Sequence, residues 1–215
     1  MATTASRNLT VDGPAGAIEA LAEYPDAAIF AAPLGTVVIA HPHPLFGGTM
    51  DNKVVQTLAR AYLQCGWRAV RFNFRGVGAS AGTHDDGRGE TDDMLAVMGQ
   101  TVPPDDTLAL AGFSFGAHVA AQVMARLHPG RAIASAVLVG TATSRFAVPA
   151  IAPDLHARTL IVHGEQDDVV PLATVLDWAR PQALPVTVVP GGGHFFHGQL
   201  PLLKALAARH VRGCA

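Results

Sequence analysis

Cysteine is nearly absent from this chain. Only Cys65 and Cys214 occur among 215 residues, with no CxxC or other paired spacing, and nothing in that pattern points to an oxidising compartment. Charge is equally scarce. Asp, Glu, Lys and Arg make up 15% of the chain, the net charge is -2, and the basic residues are scattered rather than clustered. Neither nucleic acid nor an anionic membrane is therefore an expected partner. No run of about 18 uncharged apolar residues occurs, so no membrane span is expected. The opening stretch MATTASRNLTVDGPAG lacks a basic segment followed by an apolar one, so no secretory leader is expected and the cytoplasm is the expected compartment. Repeats, low-complexity segments and linkers are also missing, which predicts one domain over residues 1–215.

What the chain does have is apolar residues, 49% of the total, enough for a large buried core. Leu9–Val11 and Ala17–Tyr24 flank the turn signal Asp12-Gly13-Pro14 and predict an antiparallel hairpin. Thr36–Ala40 is a short β-branched run of the kind buried on both faces of a sheet. Further strands are predicted at Trp67–Phe74, Thr107–Ala111, Ile133–Gly140, Thr159–His163 and Pro185–Val189. Helical spacing predicts helices at Asn52–Gln64, Glu90–Met98, Phe115–Leu127, Leu172–Ala179 and Leu200–Arg212, with Gly66 closing the first and a long polar loop at Gly76–Gly89. Strands alternating with helices imply an α/β fold with a mostly parallel central sheet and helices on both faces.

One junction in this pattern stands out. At GFSFG, Ser114 lies between Gly112 and Gly116 where a strand gives way to a helix. With 22 glycines and five serines, composition alone yields roughly 0.05 such matches in a chain of this length. A nucleophile lifted clear of a sheet on a tight strand-to-helix bend needs small neighbours on both sides. A serine hydroxyl also needs a base, and the base needs an orienting acid. After a later strand, HGEQDDVVP supplies Asp167 and Asp168; after the last, VTVVPGGGHFFHG supplies His194 and His197. His194 directly follows three glycines and is the expected base. His197 is assigned to the substrate side or the surface.

GFSFG, HGEQDDVVP and GGGHFFHG together resemble the α/β-hydrolase superfamily. HPHPLFGGTMDNKVV and VRFNFRGVGAS are similar to a small bacterial branch of serine hydrolases with little or no lid, related to the dienelactone-hydrolase group. The chain departs from dienelactone hydrolases proper in carrying Ser114, not cysteine, at the bend. The resemblance implies an α/β-hydrolase fold and places the acid on Asp167, leaving Asp168 an exposed carboxylate. It implies two oxyanion donors, the backbone N–H groups of Phe115 and His43, with Leu45 as the fallback. Pro42 and Pro44 have no N–H to offer.

His41-x-His43 also invites a metal reading, but no third and fourth ligands stand at recognisable spacing. Neither a metal nor an organic cofactor is expected. His118 is assigned to the helix surface or to packing, Cys65 to packing, His163 to the Gly164 turn and Arg75 to ordering its loop. Phe46, Leu45, Phe195 and His197 are expected around the substrate, as are Phe115 and Phe196. Between the strands ending at Gly140 and starting at Thr159 there is no room for a large lid, which predicts an accessible serine and a preference for short acyl groups. The expected activity is cleavage of a small carboxylic ester or thioester through an acyl-enzyme. The alternatives are an amide or peptide hydrolase using the same three residues, or a non-catalytic binding protein on a hydrolase scaffold. The oligomeric state has no signature in the sequence.

Overall fold

Parallel strands buried on both faces dominate the computed structural model, which describes residues 5–214. The first four residues, part of the stretch read for a leader, lie outside the described residues, as does Ala215. Eight strands form one sheet in the order β1-β2-β4-β3-β5-β6-β7-β8. They are β1 (Ser6–Gly13), β2 (Gly16–Glu23), β3 (Thr36–Ala40), β4 (Arg68–Phe72), β5 (Leu108–Phe113), β6 (Ser135–Val139), β7 (Thr159–Gly164) and β8 (Val186–Val189). β1 and β2 pair antiparallel, β2 meets β4 antiparallel, and every other pairing is parallel.

The period-two pattern sorts the core into two layers. In β3, Val38 and Ala40 face one cluster while Val37 and Ile39 face the other; in β5, Leu108 and Leu110 oppose Ala109, Ala111 and Phe113. Helices α1 (Lys53–Gln64) and α5 (Leu200–Gly213) cover the second cluster. α2 (Arg88–Thr101), α3 (Phe115–Leu127) and α4 (Leu172–Ala179) cover the first. No helix among the described residues is long and apolar enough to cross a membrane.

Local signals explain most boundaries. The Asn52 side chain accepts the Val54 N–H and starts α1, and Gly66 follows its end at φ +84°. Two expectations needed correction. β1 begins three residues before Leu9, because its polar outer residues still form ladder pairs, and the turn is the two-residue Pro14-Ala15, with Gly13 opposite Gly16. α2 starts at Arg88 and extends to Thr101, because the buried Glu90 carboxylate accepts the Gly87 N–H and caps the helix from inside.

The order of the parallel strands has one functional result. The loops that follow β3, β5, β7 and β8 all leave the same edge of the sheet. The connection from β6 to β7 is irregular except for a six-residue 3-10 helix, Pro153–Arg158.

Candidate active site

Ser114 stands between β5 and α3 with φ +57° and ψ -115°, a conformation that costs a non-glycine residue about 1–3 kcal/mol. Its N–H donates to Val139 O at 2.8 Å, and its carbonyl accepts from Ala117 N–H at 3.0 Å. The flanking glycines are sterically required. A Cβ on Gly112 would lie 2.2 Å from Gly116 O, and one on Gly116 would lie 2.3 Å from Ala40 O. These are backbone atoms that cannot swing aside.

Two later loops close on this serine. His194 Nε2 lies 3.0 Å from Ser114 Oγ, and His194 Nδ1 lies 2.7 Å from Asp167 Oδ2. An ionised carboxylate only accepts, so Nδ1 carries the proton and Nε2 faces the serine as an acceptor. The second Asp167 oxygen accepts from the N–H groups of Val169 (3.0 Å) and Val170 (2.7 Å). Burial raises the carboxyl pKa, but the His194 hydrogen bond, the Val170 N–H and the adjacent imidazoles outweigh it, leaving Asp167 below the ordinary value. Adjacent Asp168 is exposed.

The glycines before His194 serve a close approach. A Cβ on Gly164, at the end of β7, would lie 2.3 Å from Gly192 O, so the two loops touch backbone to backbone. His163 supports the same turn. Its Nε2 lies 2.9 Å from Val170 O, and burial lowers its pKa, so the 3.4 Å approach to Asp167 is not an ion pair.

Ser114 and His194 line a cavity of about 350 Å³ with Pro42, His43, Phe46, Gly47, Gly48, Asn52, Arg145, Val169 and Phe195. Phe46 is 73% exposed and forms its outer edge, while Phe195 packs edge-on against His194 at 5.1 Å. Leu45 and His197 are exposed and do not line this cavity. Phe115 and Phe196 are fully buried, so their rings belong to the core rather than to the wall. Ser114 itself is only 7% exposed. It is reached through the cavity, which Phe46 and Phe195 also line.

Two backbone donors at this site have no protein acceptor among the described residues. Phe115 is the first residue of α3, where no intrahelical acceptor exists for its N–H. Among the described residues, the His43 N–H also has no protein acceptor. The Leu45 N–H is occupied, donating to the His43 ring at 3.3 Å, which removes the fallback donor.

Beneath them lies a residue whose role the sequence did not reveal. His41 is fully buried, with Nε2 accepting the Phe74 N–H at 3.0 Å and Nδ1 2.6 Å from Pro42 O, and burial lowers its pKa to about 4. It ties the loop after β3 to the chain after β4. Arg75 spends its guanidinium on both Asp93 oxygens and Gly89 O, away from the cavity. His118 is buried in a stacked contact with Phe146 at 4.9 Å and lines a separate hollow. Both cysteines are free. Among the described residues, no three His, Cys, Asp or Glu side chains are grouped to hold a metal ion.

Residues 34–200 match a family described as alpha/beta hydrolase domain. An uncharacterized protein of Rickettsia prowazekii, RP471, is 33% identical over 196 residues, spanning 86% of this chain and 80% of that protein. An α/β serine hydrolase without lid from Xanthomonas campestris superposes with a TM-score of 0.86 at 37% identity, over 98% of this chain and 95% of its own. An α/β serine hydrolase homologue from Coxiella burnetii gives a TM-score of 0.79 at 38% identity, over 94% and 96% of the two chains.

Proposed function

Because this chain belongs to the alpha/beta hydrolase family, we propose that it is a serine hydrolase cleaving a small carboxylic ester or thioester through an acyl-enzyme. The observation that carries the reading is the continuous relay of Asp167, His194 and Ser114, with contacts of 2.7 and 3.0 Å. The names of the Xanthomonas and Coxiella proteins, both serine hydrolases, support it.

In this reading Ser114 Oγ attacks the substrate carbonyl while its proton passes to His194 Nε2. The carbonyl π electrons move onto oxygen, where the N–H groups of Phe115 and His43 stabilise the oxyanion. When the tetrahedral intermediate collapses, His194 returns the proton to the departing alkoxide or thiolate, leaving the acyl group on Ser114. Water then attacks the acyl-enzyme, His194 takes its proton, and a second collapse restores the Ser114 hydroxyl and releases the acid. Asp167 holds the imidazole tautomer and stabilises the transient imidazolium without itself accepting the proton.

The testing experiment joins chemistry to stoichiometry. A fluorophosphonate probe should add one equivalent, mapped by peptide mass spectrometry to Ser114. p-Nitrophenyl esters and acyl-CoA thioesters of graded length should then define the acyl and leaving groups. A folded protein that neither takes up the probe nor turns over any member of both series is a binding protein, and the proposal fails.

A further inference from the structure

The wall of the Ser114 cavity carries one Lys, Arg, Asp or Glu side chain, and it is Arg145. This residue lies in the connection from β6 to β7, held at the backbone by a hydrogen bond from its N–H to Ala142 O. Its guanidinium carbon stands 5.6 Å from the centroid of the Phe46 ring. That contact uses no hydrogen-bond donor of the guanidinium, so its N–H groups are free to meet a ligand.

Several other arginines of the fold have carboxylate partners. Arg71 pairs with Glu23 and Asp51, Arg75 with Asp93, and Arg180 with Asp177. Among the described residues, Arg145 has neither a carboxylate within 4.0 Å nor a side-chain hydrogen bond. Asp167 does not pair with it: that buried carboxylate is bonded to His194, Val169 and Val170, and no contact within 4.0 Å joins it to Arg145. The charge reaches into the site. After burial and His84, Arg145 is the next influence lowering the pKa of His43, which lines the same cavity.

An unmatched cation beside a nucleophile is a recognition element for an anion. We propose that Arg145 makes this site selective for esters or thioesters that carry a carboxylate or phosphate within reach of its guanidinium. The inference rests on the ester or thioester reading above and narrows it. The anion sits on either the acyl part or the leaving group, and the two positions call for different substrates.

The test uses matched pairs on the full chain. p-Nitrophenyl hemiglutarate against p-nitrophenyl valerate places a carboxylate on the acyl side; 4-carboxyphenyl butyrate against 4-carbamoylphenyl butyrate places it on the leaving side. In at least one pair, wild type should favour the anionic member in kcat/KM, and the preference should shrink as salt is raised. Arg145→Gln should reduce the anionic-to-neutral ratio roughly tenfold, and Arg145→Glu should invert it. Ratios identical in wild type and both variants, for both pairs, overturn the proposal. Calorimetric titration with the corresponding amides separates this failure from failure of the hydrolase reading. If wild type hydrolyses none of these esters, the fluorophosphonate probe and the thioester series decide whether the hydrolase reading falls. Tighter binding of an anionic amide than its neutral partner, lost in Arg145→Gln, still upholds the cation site, and equal binding overturns it.

Discussion

On the inner side of the cavity, Asp167 and His194 are almost wholly buried, and every polar atom of the relay has a partner within 3.0 Å. On the outer side, Phe46 is about three-quarters exposed, and Arg145 rests on its ring instead of a carboxylate. The inner side is built from backbone packed on backbone at Gly112, Gly116 and Gly164. The outer side is built from loop tips. A buried, fully bonded wall tolerates little change, whereas an exposed rim can be rebuilt without disturbing the sheet. In the proposed reading, bond-breaking chemistry belongs to the inner wall and choice of substrate to the outer one.

That division predicts a graded series of effects. Ser114→Ala should lower kcat by about 10⁴- to 10⁶-fold, with the thermal midpoint and far-ultraviolet spectrum retained. Turnover within tenfold of wild type would remove Ser114 from the chemistry. Asp167→Asn should cost about 10³- to 10⁴-fold in kcat by disturbing the His194 tautomer, while Asp168→Asn should stay within about twofold. Steady-state rates showing the opposite ranking would transfer the acid to Asp168.

Stability should divide along the same line. Gly116→Val drives a side chain into Ala40 O and should cost about 3 kcal/mol or more in urea denaturation. Gly47→Ala, on the rim, has no atom within 4 Å to meet its Cβ and should cost about 1 kcal/mol, from its φ of +77° alone. Equal losses would erase the contrast.

Acid gives a milder test. His41 and His118 each have a folded pKa of about 4 against an ordinary value of 6.5. Between these values the unfolded chain binds protons that the folded chain refuses. Stability is thus complete above about pH 6.5 and is lost progressively as pH falls toward 4. A urea midpoint constant across that window would show that neither ring is held neutral. The smallest effect should come from the rim itself. Phe46→Ala should change kcat/KM for short p-nitrophenyl esters by only about two- to fivefold, through apolar contact. A hundredfold loss would place Phe46 among the residues that organise the reaction.

Much of the inner wall could be read from residue order, because its requirements are local. A strand-to-helix bend needs small neighbours, and three glycines before a histidine announce a close approach. β3 and β8, TVVIA and VTVV, are β-branched runs that favour a strand over a helix. The outer wall was less legible. Leu45 looked like a spare donor because its N–H was counted without the side chain two residues earlier, the His43 ring that binds it. Phe115 and Phe196 lie beside the expected site in sequence, yet their rings turn into opposite layers of the core. His41 carried no signal at all, since its partner Phe74 N–H is 33 residues away and is brought close only by sheet pairing. Arg145 was equally silent, because its meaning lies in the carboxylate that is missing from its side.

The connection from β6 to β7 has a further consequence, for how this fold can grow. It is pinned at both ends by buried side chains, Ala142 before the exposed stretch and Ile151 and Leu155 after it, with the Ile151 N–H bonded to Gln182. Between those pins, Ala147 and Ala150 are exposed. Inserted chain at such a point leaves the sheet register untouched and is charged only the entropy of a longer closure, about 0.6 kcal/mol for each doubling. The segment is a natural splice point, where descendants of this chain could acquire a covering domain over Ser114 for less free energy than one misplaced methyl group would cost at Gly116.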